Sequence, residues 1–417
     1  MNRDGVALLM VGDELLDGRT PDTNSHWLIE QLSARNWTVT GVETLGDDVH
    51  AIAGALHRRT GAVGAVIVTG GLGPTPDDRT RDALAMLAGE ELAEDPELVA
   101  QITALLESRG RTMSDANRRQ AVRPESSLPL RNGVGTAPGL WHEIDGTAVI
   151  LLPGVPAELR WMFEHEVRPR LAAHLVASDT HTRRLRTTGV AEARLAEIVR
   201  DALGDDHHDG LAWCVASYGV DVLVRDDDTV RLDDVTARLR TAFGENLFAE
   251  GTVDLPEVVV RRLTERGETV AVAESCTGGL VGAALTSVPG SSRVLLGGVI
   301  AYANAVKQEQ LGVDVALIEE HGAVSDVVAR AMAEGVRARL GSTYGVSTTG
   351  VAGPGGGTED KPVGTVWIGF ADAEGAVARL RRLGGDRSLV RHWSVAATLD
   401  AIRRGRRAFG DRNAGTR

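Results

Sequence analysis

A chain of 417 residues with 43% apolar content exceeds what one ordinary core holds, so two or three domains are expected. Its formal charge of -13, from 45 basic and 58 acidic residues, argues against direct nucleic-acid binding, which needs a basic face to displace counterions. The two cysteines exclude a disulfide framework and a cysteine-rich zinc site and point to a reducing, cytoplasmic setting, and no apolar run nears the roughly 20 residues that span a bilayer.

From residue 6 the chain alternates β-rich runs with helical periods: VALLMV, TNSHWLIEQLSARN, TVTGVETL, VHAIAGALHRR and AVIVT at Ala65 to Thr69. The acidic residues in GVALLMVGDELL come too early for a secretory segment, so this start belongs to the fold. The rhythm predicts a doubly wound α/β domain with a mostly parallel sheet and a ligand beyond the carboxyl ends of its strands. It resumes with AVILLPGVPAEL, where Pro156 opens a helix, and ends near residue 175. Between the two stretches, VIVTGGLGPTPDDRT carries Gly70, Gly71 and Gly73, whose backbone suits a phosphate cradle. Asp13 and Glu14 after the first strand, Asn24 in PDTNS, and Asp77 with Asp78 lie where strand ends of such a sheet converge. Carboxylates beside a glycine cradle are what a divalent cation (Mg, Mn or Co) bridging a pyrophosphate requires, with Asp13, Glu14 and Asp78 as its ligands. The plainer reading is that Asp78 or Thr80 caps the helix TRDALAML.

Residues 176–253 read as a small α+β module of two or three antiparallel strands and two helices. Its run GDDHHDG resembles metal-ligand spelling, but no other His or Cys cluster accompanies it and a hydrated loop is expected. Trp141, Trp161, Trp213 and Trp367 sit on strand or helix patterns and are expected in cores.

A second α/β rhythm runs over 254–413. In TVAVAESCTGGLVGAAL a strand, a tight turn and a helix follow one another, with Ser275 at the turn. A nucleophile there lies near the positive helix end, and the N–H groups around Thr277, Gly278 and Gly279 are candidates for an oxyanion hole. Cys276 is the rival nucleophile. The candidate base is Lys307 in GVIAYANAVKQEQLGV, because a lysine in apolar surroundings loses its proton more easily. A second glycine loop, GVSTTGVAGPGGGTEDKPVG, repeats the strand-end pattern. The tail RRGRRAFGDRNAGTR reads as a solvated helix end.

The blocks AESCTGG, VPGSS, GGVIAYANAVK, HGAVSD, TTGVAGPGGGTEDKPVGTVWIGFA and GGDRSLVR resemble the CinA family (competence/damage-inducible protein), whose C-terminal domain is a nicotinamide mononucleotide deamidase. The resemblance implies Ser275 as nucleophile, Lys307 as its partner and Tyr302 as the third member of the site. Thr349 and Gly350 to Gly353 are the expected substrate contacts, and Arg387 the clamp on the 5′-phosphate. No cofactor is implied for this reaction. The family's Ser-Asn-Glu-Ala-Lys is replaced here by Ala-Asn-Ala-Val-Lys.

In the N-terminal part, VGDELLDGRTPDTNSHWL, TGGLGPTPDDRTRDALA, NRRQA, NGVGTAPG and LLPGVPAEL resemble the same family's molybdopterin-binding-like domain. There the resemblance implies a metal-dependent ADP-ribose pyrophosphatase, with Pro76 standing where the loop commonly carries a basic residue. The fold implied is two three-layer α/β domains with mostly parallel sheets, 1–175 and 254–413, joined by the small α+β module. Nucleotide substrates and a homodimer are expected, with no membrane. The alternatives are a pyrophosphatase with an inactive C-terminal scaffold, or a non-catalytic adaptor linked to competence.

Overall fold

The computed structural model describes residues 5–204 and 209–410. The histidine pair of GDDHHDG and the end of the basic tail, 411–417, lie outside the described residues. The chain forms two compact units, Met1–Thr180 and His181–Arg417.

In the first unit, β1 (Val6–Val11) and β3 (Ala65–Thr69) are apolar throughout and buried at every position, as central strands covered on both faces must be. β2 (Val39–Leu45) alternates half-buried with exposed residues, the pattern of an edge. The short strands β4 (Leu92–Glu94) and β5 (Val122–Pro124) pair as a separate ribbon. The main sheet adds β6 (Leu128–Leu130), β7 (Gly139–Ile144) and β8 (Thr147–Leu152) in the order β2-β1-β3-β8-β7-β6. Its first four strands are parallel, β7 runs antiparallel to them, and β6 pairs antiparallel with β7. Successive residues of β1 serve different cores: Val6, Leu8 and Met10 pack with Leu28 and Leu32, whereas Ala7, Leu9 and Val11 pack with Ile52, Leu56 and Leu84. Helices therefore cover both faces, giving three layers.

The second unit contains two sheets. Strands β9 (His181–Thr187), β10 (Leu211–Ala216), β11 (Gly219–Asp226) and β12 (Leu247–Glu250) form an antiparallel sheet ordered β10-β11-β9-β12. Helices Glu192–Leu203 and Thr229–Phe243 accompany it, so the module has one strand more than the sequence suggests. The larger sheet is ordered β14-β13-β15-β16-β17, from β13 (Val270–Glu274), β14 (Leu295–Ile300), β15 (Tyr344–Gly350), β16 (Thr365–Asp372) and β17 (Gly375–Arg382). The first three of these in sequence are parallel, and β16 and β17 close the sheet as an antiparallel hairpin. Val270 and Val272 face one core and Ala271 and Ala273 the other, so this domain is also three-layered α/β.

Polar links knit the two sheets of this unit together. Arg186 on β9, buried, pairs with Asp221 at 3.2 Å and with Asp254 at 2.6 Å, and Asp254 belongs to the capping box that starts the helix Leu255–Arg266. The expected solvated face at Arg403 and Arg404 is not observed. Arg403 is buried and holds Asp400 at 2.6 Å and the carbonyl of Glu245 at 2.5 Å, because the helix Arg387–Arg404 packs its last turn against the module. Of the four tryptophans expected in cores, Trp141 is buried, and Trp161, Trp213 and Trp367 are partly so.

Candidate active site

β13 lies between β14 and β15, which the chain reaches in opposite directions, so a crevice opens at the carboxyl end of β13. Ser275 is the first residue beyond that end. Its N–H donates to Thr348 O on β15 at 3.0 Å, and the hydroxyls of Thr277 and Thr348 meet at 2.7 Å. The turn is thereby fixed to the neighbouring strand.

Glu274, only 2% exposed, ends the apolar run and bends back. Its carboxylate accepts the N–H groups of Gly279 at 2.9 Å, Val281 at 3.1 Å and Gly282 at 2.8 Å, the free donors at the start of the helix Leu280–Thr286. Gly278 and Gly279 have φ of +60° and +100°, the left-handed backbone this reversal needs. Gly278 donates its N–H to Ser275 O at 3.1 Å. The donors expected to form an oxyanion hole at Gly278 and Gly279 are therefore already engaged, and the positive helix end is matched by a carboxylate of the protein itself. Cys276 is 6% exposed, and burial pushes its thiol up to about 11, which leaves it un-ionised near neutrality.

Lys307 lies on the helix Asn304–Leu311, which follows β14. Its side chain is 1% exposed, and Nζ lies 3.2 Å from Ser275 Oγ, 2.8 Å from Ala301 O and 3.2 Å from Tyr302 O. Desolvation by burial holds its pKa below the ordinary lysine value. No carboxylate of the described residues pairs with it within 4.0 Å. A neutral amine has two hydrogens and one lone pair. With the two carbonyls taking the hydrogens, the lone pair is left for the serine hydroxyl.

Tyr302 takes a different place from the one its resemblance suggests. Its carbonyl serves Lys307, but its ring is 61% exposed and its hydroxyl accepts from Arg387 Nη2 at 3.1 Å. Arg387 begins the helix Arg387–Arg404 and donates through Nη1 to Gly353 O at 2.8 Å, so Tyr302, Arg387 and the second glycine loop share one rim. Thr349 is 1% exposed and donates its hydroxyl to Ala323 O at 2.7 Å, which makes it a brace. Gly350 has no room for a side chain, since a Cβ there would lie 2.7 Å from Thr365 O. Sequence reasoning missed Glu274 and Arg391. Arg391 Nη2 donates to Thr277 O at 2.8 Å, and its i, i+4 spacing from Arg387 was the available signal.

The first unit carries a cavity of about 600 Å³ at the carboxyl ends of β1, β3 and β8. Asn24 holds its rim, donating to Gly154 O at 2.7 Å, and Gly70 and Gly71 have φ of +107° and +64°. A Cβ on Gly70 would lie 2.0 Å from Val11 O, so glycine is required where the loop crosses β1. Glu14, Gly73 and Asp77 line this cavity, with Asp22, Asp47, Asp78 and Glu158; no Lys, Arg or His does so among the described residues. The expected ligand set does not assemble. Asp78 accepts the N–H groups of Gly73 and Thr75, each at 2.7 Å, closing its own loop. It does not cap the helix Thr80–Ala88 either, whose N-cap is Arg79. Asp13 and Asp47 accept each other's N–H groups. Among the described residues no three His, Cys, Asp or Glu gather to hold a metal ion. The residues present thus do not fit a preformed divalent site.

Comparison with known proteins gives two family models: residues 252–405 match the CinA C-terminal domain, and 7–173 match a probable molybdopterin binding domain. A CinA-like protein of Salinibacter ruber is 45% identical over 95% of this chain and 98% of its own. Another, from Frankia casuarinae, is 42% identical over 95% of each. Among solved structures, competence/damage inducible protein CihA from Agrobacterium tumefaciens is 37% identical, covering 36% of this chain and 91% of its own, with a TM-score of 0.35. No helix of the described residues is long and apolar enough to cross a membrane.

Proposed function

The chain belongs to the CinA family, and on that premise we propose that its C-terminal domain hydrolyses the carboxamide of nicotinamide mononucleotide. The observation that carries this reading is the buried contact of 3.2 Å between Lys307 Nζ and Ser275 Oγ, with Ala301 O at 2.8 Å and Tyr302 O at 3.2 Å placed to accept the amine's hydrogens. Ser275 Oγ attacks the carboxamide carbon while Lys307 takes its proton. The ammonium so formed lies beside the developing oxyanion and stabilises it. Lys307 then returns the proton to the departing nitrogen, and ammonia leaves behind an ester on Ser275. Water, deprotonated by the same amine, opens that ester to nicotinate mononucleotide and restores the serine. Arg387, on the exposed rim, is the cation suited to the 5′-phosphate.

Ammonia release from nicotinamide mononucleotide by the full chain tests the reading, with Ser275→Ala and Lys307→Met as controls. Release abolished by both substitutions is the expected result. No release from the unaltered chain, or release that survives Ser275→Ala, overturns it. An adaptor role predicts that Ser275→Ala leaves the cellular phenotype intact.

A further inference from the structure

The amino ends of the same strands carry a charged cavity that the proposed reaction does not use. β13 and β15 begin there at Val270 and Tyr344, which pair, while Ser275 lies past the other end of β13. A strand of five residues, about 16 Å at 3.3 Å per residue, separates the two edges. The cavity, of about 280 Å³, is lined by Arg262, Arg266, Arg403, Arg404, Arg406 and Arg407 together with three carboxylates. Six cations less three anions leave an excess of three positive charges on the lining, which Asp400 and Glu245, paired with Arg403, Arg404 and Arg407, reduce to one, in a chain whose formal charge is -13.

Several of these arginines have clear structural employment. Arg406 holds Asp372 at 2.6 Å, Arg403 holds Asp400 at 2.6 Å, and Arg407 reaches Glu245 at 3.6 Å. Arg266 ends the helix Leu255–Arg266, where a cation suits the helix dipole. Arg262 has no such reason. It is half-buried one turn earlier on that helix, beside the like charge of Arg266, and forms no ion pair within 4.0 Å among the described residues. Burial and the charges of Arg266, Arg407 and Arg403 lower its pKa, with Glu268 on the same lining opposing them only in part, so the surroundings disfavour the cation they contain. Arg404 adds a buried Nε with no hydrogen-bond partner among the described residues. An unpaired guanidinium facing three others is costly unless an anion completes the group.

We propose that this cavity is a binding site for a small phosphate-bearing anion, gripped by Arg262 with Arg266 and Arg407. Planar guanidinium forks match phosphate oxygens in pairs, and the volume suits a phosphate or pyrophosphate group rather than a whole dinucleotide. The site stands independently of the amidase reading.

Calorimetric titration of the full chain tests it, in an Arg387→Ala background that removes the other candidate phosphate clamp. Inorganic phosphate, pyrophosphate and adenosine monophosphate are titrated in parallel, so that a free anion and a nucleotide's phosphate are told apart. At least one is expected to bind, and adding Arg262→Ala is expected to weaken it about tenfold or more. If that variant fails to fold, Arg266→Gln, at an exposed helix end, replaces it with the same expectation. No binding of any of the three at millimolar concentration, or binding unchanged by the substitution, overturns the proposal.

Discussion

Replacing Glu274 by glutamine preserves the side chain's shape while removing its charge, and so isolates what the carboxylate does for the turn that carries Ser275. One oxygen accepts from both Gly279 and Val281, the other from Gly282, all at 3.1 Å or less. Glutamine can turn its oxygen toward the first pair only. Its NH₂ then faces the N–H of Gly282, donor against donor. Three charge-assisted bonds of about 1.5–3 kcal/mol each give way to two neutral ones of about 0.5–1.5 kcal/mol, a loss of about 3.5–6 kcal/mol before the one unsatisfied donor is counted. At about 2–4 °C per kcal/mol for a unit of this size, the melting temperature of the second unit should fall by about 10 °C. Ammonia release should fall with it, because Ser275 and the capped donors sit on the same turn. The assay is a thermal melt by circular dichroism at one scan rate, paired with the ammonia measurement. A melting temperature within about 2 °C of the unaltered chain, with release undiminished, would refute the positioning argument.

Further outcomes follow from the same geometry. Ser275→Ala should lower ammonia release about 10³-fold or more with little change in melting temperature, since it removes the proposed nucleophile and only a partner of Lys307. Lys307→Met should also be inactive yet melt no lower at pH 7. The folded pKa of Lys307 lies below its unfolded 10.5, so between those values the unfolded chain binds a proton that the fold does not. Stability therefore rises with pH through that window, and the methionine variant's advantage should shrink as pH nears 10; a variant that melts markedly lower at pH 7 contradicts this. For the same reason the rate should climb with pH as Lys307 deprotonates, levelling off below 10.5. Arg387→Ala should raise KM about tenfold with a smaller effect on kcat, and Arg387→Lys should recover part of the loss. An alkylating agent at pH 8 should label exposed Cys214 quickly and buried Cys276 only after unfolding, as read by peptide mass.

The setting of the Ser275–Lys307 contact was largely legible in the sequence, because a strand, a turn and a helix can be read from VAVAESCTGGL and an apolar setting from YANAVK. The direction of Tyr302 was not. Strand periodicity ends at Ile300, and nothing local decides whether carbonyl or ring turns inward two residues later. Glu274 was overlooked because a glutamate closing an apolar run reads as a solvated strand end. Only counting the unmet N–H donors of the following helix reveals that an acceptor is needed. The Asp77–Asp78 pair misled in the opposite sense: its spelling suits a metal, whereas Asp78 spends both oxygens on its own loop. β9 was hard to place because HTRRLRT is mostly basic, and its arginines find Asp233 and Asp221 only once the module has folded.

By occupying the start of the helix Leu280–Thr286 with its own carboxylate, the fold fills the seat to which a phosphate would otherwise be drawn. Under the proposed reaction, a nucleotide entering the crevice would find the nearest anion berth already taken. Its 5′-phosphate would stay with Arg387 at the rim, leaving the carboxamide as the end directed toward Ser275.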